Sequence, residues 1–300
     1  MKPRSAGYIK RKAAKEETVE AFTRIVNRQI AWAEHRGLLP DENAYLTTYD
    51  ENLFAPLSAQ TEREFRGGAG CELDDRNDEP AKMRALYSSS ALVCNVFDHL
   101  RNANATSIGR FLAIANAVAS VRFEAQLPSG LRGTPPTLDL LLIATATIAV
   151  AVESKFTEPY QGRPKRAPFV ESYFKAKTGL WASLGLPKCQ NLAERLHRRE
   201  IRFEYLDAAQ LLKHTLGVRR KFRDGQLVLL WFNSNTSEGE ALSSEIRFFS
   251  QSVDSALSFR AIEYHDVFAC LEQEPSADPR HVDYLRSRYF AAQQTIGTDA

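Results

Sequence analysis

The stretch from Pro136 to Phe156 limits what this chain can fold into more than any other. Thr137 to Ile143 and Thr147 to Phe156 are rich in Leu, Ile, Val and Thr, the residues that suit pleated, buried strands. The short gap between them predicts neighbouring strands. Asp139 and interspersed threonines interrupt the apolar run Leu138 to Val152, and it is too short for a membrane span. Charge enters this apolar pair at two places. Asp139 lies on the first strand, and Glu153-Ser154-Lys155 begins fourteen residues later at the end of the second.

Side chains alternate across a strand, so Ala149, Ala151, Glu153 and Lys155 share one face while Ile148, Val150 and Val152 share the other. On the preceding strand Leu138, Leu140 and Leu142 face one way and Asp139 the other. A register with Asp139 opposite Glu153 would bring both carboxylates to one face beside Lys155. Mg²⁺ takes oxygen ligands and binds through one or two carboxylates while keeping waters. Asp139 and Glu153, with the Ser154 carbonyl, are the expected ligands. Lys155 would orient the attacking water or help deprotonate it, and would offset charge on the phosphorus centre. An exposed Glu-Ser-Lys edge on an ordinary surface hairpin is the competing reading, and spacing alone does not separate the two.

The surrounding chain predicts a mixed α/β core. Helices are expected up to about residue 36, over 88–100 and 108–118, at about 168–183, 190–199 and 206–216 with Gly217 as a stop, at 238–253 and at 278–290. Strands are expected at 120–127, 137–143, 147–156, 226–232 and 258–264. Residues 40–85 show poor periodicity. The chain therefore divides into an N-terminal helical and irregular extension, 1–85, and a core, 86–300.

Composition excludes several function classes. The chain has 300 residues, 44% hydrophobic and 25% charged, enough for a sizeable core without staples. Its net charge of +2 leaves any nucleic-acid binding to local patches. Cys71, Cys94, Cys189 and Cys270 form no CxxC or CxxH, which predicts reduced thiols and no structural zinc. No apolar run follows Met1-Lys2-Pro3-Arg4, so a cytoplasmic protein without signal peptide or membrane span is expected. No Walker motif, GxGxxG or zinc finger is present, and no histidine pattern supports a serine or cysteine hydrolase.

Thr137-Leu138-Asp139 with Val152-Glu153-Ser154-Lys155-Phe156-Thr157-Glu158 resembles the PD-(D/E)xK nuclease superfamily, the restriction-endonuclease-like fold. Its proline, Pro136, stands two residues further from the acid than the pattern has it, and the lysine half is a full match. Ser88 to Leu92 with Asn95-Val96-Phe97, and Gln210-Leu211-Leu212-Lys213-His214, resemble a bacterial restriction-endonuclease-like group of that superfamily. The resemblance spans about 80–265 and implies a central mixed sheet flanked by helices, dependence on Mg²⁺ (Mn²⁺ substituting), and phosphodiester hydrolysis. It makes Asp139 and Glu153 metal ligands and Lys155 the catalytic lysine. Many members add an acid from the preceding helix. Here that helix offers only Asp98, which turns attention to Glu124 in the first strand.

Glu158 is expected beside the site or holding Tyr160, with a surface salt bridge as the alternative. Gln210 and His214, four apart on one helical face, are candidates for reaching phosphate or orienting Lys155, although a histidine near a helix end is the commoner situation. Basic clusters at Arg163-Pro164-Lys165-Arg166, Arg195 to Arg202 and Arg219 to Arg223 would hold DNA phosphates if they line a groove. The expected activity is a Mg²⁺-dependent endodeoxyribonuclease serving restriction or phage defence. DNA, a second copy of the chain and a cognate methyltransferase are its expected partners. The alternatives are a silent nuclease-fold DNA-binding subunit and a repair or recombination nuclease.

Overall fold

A computed structural model of the chain describes residues 20–68, 70–76, 79–103, 105–112, 117–162, 169–176 and 178–290. Strands β1 (Ser120–Gln126), β2 (Thr137–Ile143), β3 (Ala149–Lys155), β4 (Gln226–Trp231) and β5 (Arg260–Glu263) form one sheet in that order. The first three are antiparallel neighbours, and β4 and β5 are added in parallel. Parallel neighbours need crossovers. Between β3 and β4 the chain forms α5 (Pro187–His197) and α6 (Ala208–Lys221), and between β4 and β5 it forms α7 (Ser237–Ser252). The remaining helices are α1 (Glu20–His35), α2 (Ala59–Gly67), α3 (Ser89–Ala103), α4 (Ala105–Phe111), α8 (Tyr264–Glu272) and α9 (Pro279–Leu285), the last continuing as a π-turn, Arg286–Phe290. This is the mixed five-stranded sheet flanked by helices that the element order and the resemblance both predicted.

Local chemistry explains most element ends. Ser88 caps α3 by accepting the Ala91 N–H at 3.2 Å, and Asp207 caps α6 by accepting the Gln210 N–H at 2.8 Å. Pro187 opens α5, where its missing N–H costs nothing. β3 is buried at every position except Lys155, as a central strand covered on both faces should be.

Several expectations need correction. Gly217 does not stop α6, which runs on to Lys221; a Cβ at Gly217 would sit 2.6 Å from the Leu127 carbonyl oxygen. This glycine serves close packing of helix against strand rather than termination. The continuous helix expected at 168–183 is replaced, among the described residues, by two 3₁₀ turns, Glu171–Phe174 and Ala182–Leu184. Gly179 at φ +75 breaks the chain direction there, and Phe169, Tyr173 and Phe174 pack around the buried Trp181. The segment 40–85, read as poor in periodicity and partly irregular, contains α2. Helix α8 was not anticipated. β3 starts at Ala149 rather than Thr147, because the Ala144 and Thr145 N–H groups both bond to Ile148 O and close a turn.

Helix α2 matters because it covers the outer edge of β1. Glu64 accepts the Phe123 N–H at 2.9 Å and pairs with Arg101 of α3 at 2.8 Å. An edge strand is thereby blocked from pairing with another chain. The N- and C-terminal elements meet at Arg288. This buried guanidinium donates to Gln29 Oε1 at 2.9 Å, Asn52 O at 2.8 Å and the Tyr284 hydroxyl at 2.6 Å, and lies 4.3 Å from the centre of the Trp32 ring. Neutral acceptors and an aromatic face together solvate one buried charge.

Candidate active site

Three carboxyls lie in a row across β1, β2 and β3. The β2–β3 ladder pairs Leu140 with Val152, so the next position sets Asp139 opposite Glu153. The β1–β2 ladder pairs Phe123 with Leu140 and Ala125 with Leu138, so Glu124 lies opposite Asp139. Lys155 follows Glu153 on the same face, and its Nζ is 2.6 Å from Glu153 Oε1. Ser154 points the other way, where its Oγ is 2.6 Å from the hydroxyl of Tyr264, a buried residue of α8. The Ser154 N–H donates to Asp139 Oδ2 at 2.6 Å. The N–H and C=O of one strand residue point to the same edge, so the Ser154 carbonyl also faces the Asp139 side.

Glu124 carries backbone strain. Its φ is +49, in the left-handed region that a strand residue rarely enters. The conformation turns its carboxylate toward the segment before α3. A Cβ on Gly68 would lie 2.7 Å from Glu124 Oε2, and one on Gly70 would lie 2.6 Å from Glu72 Oε1. Glu72 is buried, accepts from Ser90 Oγ at 2.8 Å and lies 3.4 Å from Lys82 Nζ. It thus adds a fourth acid to the neighbourhood. Sequence reading missed it, although the glycines around it are a signal of close backbone approach. Nothing in the sequence marked Tyr264.

The electrostatics follow from burial and crowding. Burial, then Glu72 and Glu153, push the Glu124 carboxyl up to about 8. Burial and the Glu153 charge hold Asp139 well above the usual carboxylate range, against Lys155 and the Ser154 N–H. Burial would also raise Glu153, but Lys155 and then His214 outweigh it and hold that carboxyl at about 2. Burial would lower Lys155, yet Glu153, Glu158 and Asp139 raise it, so the ammonium stays charged.

Helix α6 supplies the wall opposite. His214 is not at a helix end but in the middle of α6, fully buried, with Nε2 2.9 Å from Glu153 Oε2. The two atoms are out of line, and neither has a hydrogen bond among the described residues. One turn earlier, Gln210 lines a cleft of about 320 Å³ that Lys155 also lines. Glu158 borders the same cleft, and its carboxylate accepts the Phe156 N–H at 2.9 Å. It does not hold Tyr160, whose hydroxyl donates to Phe232 O at 2.8 Å.

The other expected residues lie elsewhere. Asp98 does not face the three-carboxyl row; it accepts from the Thr61 hydroxyl and the Ser58 N–H at the start of α2. Arg163, Lys165 and Arg166 lie outside the described residues. Arg198 and Arg202 are already paired at the surface with Glu194, Glu200 and Glu204. Arg220 packs over Gly130 in the β1–β2 connection. All four cysteines are free.

These residues fit a hard divalent cation. The buried Glu153 and the half-buried Asp139 and Glu124 repel one another, and Glu153 keeps a buried oxygen without a hydrogen bond among the described residues. Among the described residues no three His, Cys, Asp or Glu side chains form a cage that could hold a metal by themselves. A cation that binds through one or two carboxylates and retains waters needs no such cage. No helix among the described residues is long and apolar enough to cross a membrane.

Comparison with curated proteins and with solved structures gives no match in either case. A family model described as "Restriction Endonuclease associating with ARP" matches residues 11–290, nearly the whole chain. The sheet, the acid–acid–lysine ends of β2 and β3, and this match agree: the chain belongs to the family of restriction endonucleases associating with ARP, and its function is nuclease-like.

Proposed function

We propose that the chain is a Mg²⁺-dependent endodeoxyribonuclease that hydrolyses DNA phosphodiester bonds by direct attack of water, without a covalent intermediate. The convergence of Asp139, Glu153 and Lys155 at the adjoining ends of β2 and β3 carries this reading. Asp139, Glu153 and the Ser154 carbonyl would hold the cation. Bound Mg²⁺, which Mn²⁺ would replace, supplies charge neutralisation at the phosphate and a lowered pKa for water. The Ser154 N–H fixes the Asp139 carboxylate, and Tyr264 fixes Ser154 from behind. Lys155 is held charged by its acidic neighbours, so it acts by orienting water and offsetting negative charge rather than by taking a proton. His214 stands 2.9 Å from the second oxygen of Glu153, across from it on α6. Glu124 lies one strand further out and interacts with Glu153 through charge, and Glu158 does the same with Lys155.

We place this activity in restriction or phage defence in the bacterial cytoplasm, a reading that the words of the family description support and that the site does not address. The family description adds a partner, ARP. A cognate methyltransferase is a further partner in that setting. A homodimer would let one site per chain cut both strands. Cleavage of plasmid DNA with Mg²⁺ or Mn²⁺, against EDTA, tests the activity for wild type, Lys155→Ala and Asp139→Asn. Cutting that requires metal and is lost in both variants is expected. A folded protein that binds DNA but cuts neither plain, methylated nor branched DNA would instead be a silent DNA-binding subunit.

A further inference from the structure

We propose that the cleft beside Lys155 receives a single base of the DNA, turned out of the duplex next to the phosphate being cut. The inference rests on the nuclease reading and adds to it a ligand-binding pocket. The cleft measures about 320 Å³, at the small end of ligand pockets (roughly 300–1,000 Å³). That is too small for a duplex and suits one nucleotide.

Its lining selects among the parts of a nucleotide. Leu211, Leu229, Leu242 and the Trp231 ring give it an apolar interior, which suits the flat face of a base. Glu158 and Asp207 also line it, and two carboxylates repel a phosphate. The phosphate is therefore left to Lys155, the cationic member of the lining.

Two amides complete the pocket. The Gln210 side chain has no hydrogen-bond partner among the described residues, although its backbone N–H is used in the α6 cap. Gln161 donates from Nε2 to Thr157 Oγ1 at 2.9 Å, which leaves its carbonyl oxygen uncommitted among the described residues. An amide both donates and accepts, as the hydrogen-bonding edge of a base requires. A base inside a duplex cannot reach such a pocket, so it must leave the stack. The Glu245 carboxylate accepts the N–H groups of Glu204, Tyr205 and Leu206 at 2.6, 2.9 and 2.7 Å, which fixes the loop forming one wall.

The test uses the full chain. Cut positions are first mapped on a DNA fragment with the wild-type protein. 2-Aminopurine is then placed, one position at a time, at the nucleotides flanking the cut. Fluorescence is read on binding to the Asp139→Asn protein, which leaves the strand intact and keeps Lys155 and the rest of the cleft lining. A several-fold rise at one flanking nucleotide is expected. It should be lost when the cleft is filled by Leu242→Trp or covered by the surface substitution Gln161→Trp. The second variant guards against misfolding of the first, and circular dichroism checks both. Flat fluorescence at every flanking position of a fragment that is cut overturns the pocket and leaves the nuclease reading intact. A rise unaffected by a folded Gln161→Trp protein also overturns it, since the base would then be elsewhere. If wild type cuts no DNA under any metal condition, the nuclease reading fails and the pocket fails with it.

Discussion

Replacing Glu124 by Gln should flatten the alkaline loss of stability of the metal-free protein. The Glu124 carboxyl rises from the ordinary 4.5 to about 8, first through burial and then through Glu72 and Glu153. Between those two values the folded chain holds a proton that the unfolded chain has released. Stability from this group is therefore fully present below 4.5 and is lost as pH rises through 8. At about 1.4 kcal/mol per tenfold change in proton affinity, the loss is about 5 kcal/mol at most. Neighbouring carboxyls share the same protons, which reduces the part belonging to Glu124 alone. Glutamine keeps the shape and removes the titration. Urea unfolding in EDTA from pH 5 to 9 should show wild type losing several kcal/mol and Glu124→Gln losing clearly less. Divalent cation should restore much of the wild-type loss, because it offsets the same repulsion. Parallel stability profiles for the two proteins would refute the reasoning, since the strained, crowded carboxyl would then carry no such penalty.

Three further outcomes are expected. Tyr264→Phe removes the hydroxyl behind Ser154 and should lower kcat for DNA cleavage by about five- to tenfold, the worth of one hydrogen bond, with KM unchanged. His281 is fully buried with Nε2 2.6 Å from Asn95 O, and burial lowers it from 6.5 to about 4. The unfolded chain therefore takes up this proton first. Stability present above pH 6.5 falls by about 3 kcal/mol as pH drops toward 4, and acid unfolding of His281→Gln should lack that component. Gly217→Val would force a side chain against Leu127 O and should lower the urea midpoint by an amount equivalent to about 1–3 kcal/mol or more.

Strands and the acid–acid–lysine pattern were readable because both depend on short-range periodicity. β2 and β3 are near-continuous apolar runs, and alternation alone fixes that Glu153 and Lys155 share a face. Helices with strong caps, such as α3 after Ser88 and α6 after Asp207, were readable for the same local reason. Gly217 misled because a glycine allows two different things, a helix stop and a close helix–strand approach, and only the partner across the gap distinguishes them. The aromatic cluster around Trp181 likewise replaced an expected helix with turns, because packing overrode local preference.

The sequence by itself determined the α/β class, the central strands and the shared face of Glu153 and Lys155, whereas the register that sets Asp139 opposite Glu153 belongs to the fold. Tertiary structure alone decided which distant groups join them. Glu72 reaches the acidic row from a glycine-rich segment, His214 meets Glu153 from the middle of α6, Tyr264 stands behind Ser154 from α8, and Arg288 ties the π-turn after α9 to α1. Each of these contacts joins residues far apart along the chain. Local propensity and periodicity carry no information about such pairs, whereas burial and charge compensation in the folded core select them.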